Sequence, residues 1–138
     1  MSTVMETMDA LEATLLAVPM LRGASSEMPG QLPAVPWAVV GVPELDYLTT
    51  HGGGSDRKFT IYLFTGTAVE RVGQRQLAEL LDTEGENSVP AALLADRTLG
   101  GVIDDLRIVS SRPLGVREVG IIGYVGAMLI IDTIGAEG

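Results

Sequence analysis

The stretch Lys58-Phe-Thr-Ile-Tyr-Leu-Phe-Thr65, followed after Gly66 by Thr67-Ala-Val-Glu-Arg-Val-Gly-Gln-Arg-Gln-Leu-Ala-Glu-Leu-Leu81, sets a period-two pattern directly before a helical one. In the first half Phe59, Ile61, Leu63 and Thr65 face one way and Thr60, Tyr62 and Phe64 the other, with the β-branched and aromatic content of a strand. In the second half Val69, Val72, Leu77, Leu80 and Leu81 make a broad apolar stripe. Thr67 and Glu70 form a capping-box pattern, in which hydroxyl and carboxylate satisfy backbone N–H groups that a helix start leaves free. The spacing predicts a strand over 58–65 and an amphipathic helix over 68–81.

Towards the N-terminus, Val4, Met8, Leu11, Leu15 and Val18 recur at three- and four-residue spacing, which predicts a first helix. Thr3 and Glu6 form its capping box and Pro19 its stop. Residues 19–36 hold four prolines together with Gly23, Ser25, Ser26 and Gly30, the composition of a long loop or extended arm. Trp37 to Val42 reads as a short buried strand ended by Pro43. After Leu45 to Leu48, residues Thr49 to Arg57 contain three consecutive glycines between polar flanks and predict a flexible hairpin loop.

Towards the C-terminus, Ser88 is placed to cap a short helix with Pro90 in its first turn and Ala91 to Ala95 continuing it, and Gly100 and Gly101 are expected to end it. Val102 to Ser111 reads as a strand, Pro113 and Gly115 as a turn, and Val116 to about Thr133 as a last strand that is apolar on both faces. These elements predict an α+β fold: a mixed, mainly antiparallel sheet of about four strands flanked by two or three helices, in one domain spanning residues 1–138. Helices on one face leave a second apolar face, which calls for an interface unless the Pro-rich segment folds back over it.

Composition narrows the function. A net charge of -9 and a pI near 4.4 argue against a protein that grips phosphate backbones. With no Cys and one His, thiolate sites are excluded and the common zinc sites are hard to build. The longest apolar run, Val119 to Ile131, falls short of the roughly 20 residues a membrane helix requires, so a soluble protein with no membrane partner is expected. The acidic, interrupted N-terminus does not read as a secretory signal or transit peptide.

The candidate chemistry is thin. His51-Gly52-Gly53-Gly54 matches a motif that supplies oxyanion-hole N–H donors in some esterases, yet no Gly-x-Ser-x-Gly elbow accompanies it and the only His lies inside it. Asp96, Asp104 and Asp105 have the ligand chemistry for a hard metal ion, but adjacent residues on a strand point to opposite faces; pairing of one with Arg97, Arg107 or Arg117 is the better reading. Gly120, Gly123 and Gly126 lie in an apolar strand and suit close backbone packing or a bulge better than a phosphate loop. The reading is therefore of a non-enzyme without metal or cofactor.

The segment Ala95-Asp-Arg-Thr-Leu-Gly-Gly-Val-Ile-Asp-Asp-Leu-Arg-Ile108 resembles a stretch common in tail terminators of long-tailed siphophages of actinobacteria, which are also described as minor tail or head-to-tail joining proteins. The order of elements is similar along nearly the whole chain, with the most specific likeness from about Phe59 to Val109. The resemblance implies a virion structural protein of the tail–neck junction, assembled in the host cytoplasm. It would form a homohexameric ring that caps the tail tube, ends tube growth and meets the head–neck connector proteins. DNA would pass through an acidic lumen without sequence-specific binding. His51, Gly52, Gly53, Gly54, Ser55, Asp56 and Arg57 of the loop, with Leu32 and Val35 of the Pro-rich arm, are the expected interface residues. Another neck ring, an adaptor or head-closure protein, is the nearer alternative, and a small monomeric enzyme or ligand-binding domain the farther one.

Overall fold

A computed structural model of the chain describes residues 4–26, 32–45, 56–67, 72–119 and 122–135. The first helix, α1 (Val4–Leu16), buries Met8, Leu11 and Leu15 of the stripe its spacing predicts, and Thr7 beside them. Its end tightens, with Val18 N–H donating to the Leu15 carbonyl at 3.0 Å, and the buried Val18 side chain follows. Six strands come next in one sheet: β1 (Gly23–Ser25), β2 (Trp37–Val40), β3 (Glu44–Leu45), β4 (Asp56–Thr67), β5 (Ile103–Val119) and β6 (Ile122–Gly135). Two further helices, α2 (Val72–Leu81) and α3 (Val89–Ala95), lie between β4 and β5. The architecture is α+β with a mixed sheet, as expected, and two short strands are added to the anticipated four.

The strand order is β1-β2-β4-β6-β5, with β3 also paired to β4. Only β1 and β2 run parallel; the other pairs are antiparallel. The Pro-rich segment is thus not all loop. Gly23 pairs with Trp37, and a Cβ on Gly23 would sit 2.2 Å from the Trp37 ring, so only glycine lets the ring lie against this strand. Trp37 Nε1 also donates to Ser25 Oγ at 3.3 Å.

The expected turn at Pro113 and Gly115 is corrected by the structure. β5 runs straight through both residues to Val119, and pairing with β6 continues to Val119 opposite Ile122. Proline is tolerated there because β5 is the outer strand and the register shifts between Pro113 and Gly115, so the missing N–H breaks no regular ladder. Two more shifts, at Ile103/Asp105 and Ile108/Ser110, give the edge an irregular outline. The loop expected over 49–57 is shorter at its end, because Asp56 and Arg57 already belong to β4 opposite Ile134 and Thr133.

Alternation divides the side chains into two cores. On one face Ala38, Val40, Phe59, Ile61, Leu63, Val125, Ala127, Leu129 and Ile131 pack beneath the three helices. Leu11, Leu15, Leu80, Leu93 and Leu106 are fully buried in this layer. On the other face a smaller cluster of Leu32, Val39, Phe64, Val119 and Tyr124 is joined by Val35, Trp37, Tyr62, Leu114 and Ile122. Phe64 and Tyr124 meet edge to face at 6.3 Å. The 32–36 segment therefore covers one end of the second face, while Met128, Ile130 and Ile134 on the rest of β6 are half-buried.

Local devices hold the corners. Ser88 caps α3, its Oγ accepting from Ala91 N–H at 3.0 Å and donating to the Asp82 carbonyl, with Pro90 in the first turn as expected. Gly100 and Gly101 do not end the helix as expected: it stops at Ala95 with Asp96 as its C-cap, and Leu99, Gly100 and Gly101 then turn the chain towards β5 with positive φ of 50°, 72° and 94°. A Cβ on Gly126 would meet the Leu63 carbonyl at 2.9 Å and the Phe64 ring at 2.9 Å, which identifies close packing at the β4 register shift between Phe64 and Gly66 as this glycine's role. Among the described residues no helix is long and apolar enough to cross a membrane.

Candidate interaction surface

The pairing register lays out the second face in rows across β4, β6 and β5. Tyr62, Met128 and Arg112 form one row, Thr60, Ile130 and Ser110 the next, and Lys58, Asp132 and Arg107 a third. Met128 and Ile130 in the middle of this strip are apolar and half-buried, and Lys58, Arg107 and Arg112 on its border are charged and exposed. Arg107 reaches Asp132 across the β5–β6 pair at 3.6 Å, with side-chain exposures of 68% and 28%. An ion pair this open contributes little to stability, and Asp132 offsets the charge of Arg107.

On the helix side of the same edge an open groove of about 260 Å³ is lined by Leu81, Pro90, Leu94, Ile108 and Leu129. Leu94 is 45% exposed, an apolar side chain left to solvent at the groove's lip. The end of α2 and the turn to α3 adjoin it and carry Glu79, Asp82, Glu84 and Glu86, all exposed.

The expected interface residues fall in different places. His51, Gly52, Gly53, Gly54 and Ser55 lie outside the described residues, and Asp56 opens β4. Arg57 is 8% exposed and donates from Nη1 to Thr7 Oγ1 of α1 at 3.2 Å, while its carbonyl accepts from Thr133 Oγ1 at 3.3 Å. Leu32 is 5% exposed and sits with Val35 in the second cluster. Leu32 and Arg57 thus hold parts of their own chain together. The buried trio Thr7, Arg57 and Thr133 escaped sequence reading, although Thr7 and Thr133 each occupy a core position of an apolar pattern, where a polar residue signals a buried partner.

Two of the acidic residues considered as metal ligands, Asp96 and Asp105, have other roles, and the side chain of Asp104 lies outside what is described. Asp96 accepts from Gly100 N–H at 2.9 Å and from Thr98 Oγ1 at 3.2 Å, tying the turn after α3. Asp105 takes a two-pronged pair of bonds from Arg97, 2.8 Å from Nε and 3.0 Å from the guanidinium NH2, as the pairing expectation required. That bond, the Leu106 N–H and the nearby Arg charges lower its pKa below the ordinary 3.8. Among the described residues no three metal-binding side chains gather. The 95–108 stretch is therefore the corner between α3 and β5, with Asp96, Arg97, the glycines and Asp105 as its fastenings.

No protein-family model and no curated protein matches the chain. Among solved structures, a chain of the virion of a native gene transfer agent particle is similar over 91% of this chain and 84% of that one, at 14% identity and a TM-score of 0.33. A superposition this loose carries no functional argument.

Proposed function

We propose that the chain is a virion structural protein that forms a hexameric ring on the tail tube of a long-tailed phage, stops tube growth and joins tail to head. The observation that carries this reading is the half-buried apolar pair Met128 and Ile130 beside the exposed Arg107 and Arg112 of the outer strand. A chain that leaves such apolar side chains only half-buried gains by setting them against another subunit. The resemblance of the 95–108 stretch to tail terminators supplies the choice of assembly. The mechanism is binding without catalysis: each subunit makes modest contacts with its neighbours and with the tube, and closure of the ring combines them into a firm cap. The partners are a second copy of the chain, the tail tube protein and the head–neck connectors, at the tail–neck junction of the virion. The net charge of -9 favours a lumen along which DNA slides without adhering.

Electron microscopy of the purified chain mixed with polymerising tail tube protein tests this. Ring-shaped caps at one tube end with growth arrested support it. Uncapped, still-growing tubes overturn the terminator role.

A further inference from the structure

The charges of this chain are segregated. No Lys or Arg occurs between Arg75 and Arg97, and that interval contains Glu79, Asp82, Glu84 and Glu86. These acids form the rim of the α2–α3 turn, whose Leu81 and Thr83 line the apolar groove with Pro90, Leu94 and Leu129. β5 shows the reverse. No Asp or Glu occurs between Asp105 and Glu118, and Arg107, Arg112 and Arg117 fall there. Arg112 is exposed and lies opposite Met128 on the second face; Arg107 lies further along the same border and shares its charge with Asp132. The molecule thus carries two patches, each an apolar centre with a charged border. The signs are opposite, and the patches lie on opposite faces of the sheet beside the same outer strand.

We propose that these patches are the two halves of one contact between copies of this chain. The acidic α2–α3 turn and its groove in one protomer seat against the Arg112, Met128 and Ile130 strip of the next. Apolar burial supplies the larger part of the affinity, and the charges set the register and reject wrong pairings. The contact is heterologous, since each protomer keeps one patch of each kind for a further neighbour, and such contacts close into rings or run on as filaments. A two-fold dimer would either centre on one patch and set it against itself, acid on acid or arginine on arginine, or need both patches turned to the same neighbour at once, whereas they lie on opposite faces of the sheet. The shifted, proline-bearing edge of β5 disfavours the remaining route, strand-to-strand addition. The inference rests on the assembly reading above but not on what the assembly caps.

Charge reversal tests it on the full chain by light scattering over a concentration series. The wild type is expected to form species larger than a dimer that dissociate as salt rises. Glu84→Lys with Glu86→Lys, and separately Arg112→Glu, should each weaken assembly about tenfold or more, and the chain carrying all three reversals should recover most of the loss. Reversed chains that assemble like wild type overturn the contact. So does a combined variant with wild-type circular dichroism that fails to recover. Because the chain has no Cys, a second measurement is clean: mixing Glu84→Cys protein with Arg112→Cys protein under oxidation should yield a cross-linked pair. Folded chains that give none overturn the contact. Chains that cross-link yet leave tubes uncapped refute the tail-terminator reading alone; chains that cap tubes without the cross-link refute the contact alone.

Discussion

On β6, Val125, Ala127, Leu129 and Ile131 are buried against helices, whereas Met128 and Ile130, one residue along, are half-buried on the opposite face. The two faces come from the same strands and nearly the same residue types, so side-chain chemistry does not separate them. What separates them is the layer above. Among the described residues three helices cover the first face, while the 32–36 segment alone reaches the second and covers the end at Val39, Phe64 and Tyr124. One face is a finished core, and the other is finished at one end and open at the other. Packing stability should therefore be concentrated on the helix side, and the open side should matter more for association than for stability.

The sharpest way to break this contrast is a pair of truncations. Leu129→Ala should cost about 2–5 kcal/mol in urea unfolding, because it leaves a cavity beneath the helices. Met128→Ala, measured at a concentration where the chain is monomeric, should cost less than about 1 kcal/mol and act on assembly instead. Equal losses would mean that the second face is as fully packed as the first. Gly126→Ala probes the seam between the faces: its new methyl meets the Leu63 carbonyl at 2.9 Å, so a loss of about 1–3 kcal/mol is expected from overpacking. An unchanged unfolding midpoint would show that the register shift yields freely. Ser88→Ala removes the cap of α3 and should cost about 1 kcal/mol. The loss should fall on thermal stability and leave assembly unchanged unless the adjoining α2–α3 turn is displaced.

The smallest effect is electrostatic. Asp105 has a folded-state pKa lowered by Arg97, so its contribution is present above the ordinary value of 3.8 and is lost as pH falls through the folded value. Asp105→Asn should lower the unfolding midpoint slightly at neutral pH, and the difference should vanish at acid pH below 3.8, once wild-type Asp105 is protonated in both states. Because both partners are exposed, a difference that persists unchanged into acid would show that Asp105 acts through its shape and hydrogen bonds, not its charge.

The helices were legible because their signals are local. The α1 stripe, the Ser88 cap and the alternation in β4 each depend on residues a few positions apart. β1 was not legible, since three residues among prolines carry no period, and its existence depends on Trp37 lying against Gly23. The turn assigned to Pro113 and Gly115 was misread for a related reason: proline disrupts a central strand but not an outer one, and no local pattern tells a strand which place it will take. Of the expected interface residues, Arg57 and Leu32 are committed to internal packing, whereas Arg112, Met128 and Leu94 carried no sign of their position in the sequence.

The sequence by itself determined the α+β class, the two-sided apolar character of β6 and the segregation of acids from arginines, because composition and periodicity are properties of the chain. Only the tertiary structure decided which strand became the edge, which end of the second face was covered, and that the acidic turn and the arginine border lie on opposite faces beside one strand. Those outcomes depend on long-range pairing and on what packs above each face, and neither is encoded in any single segment.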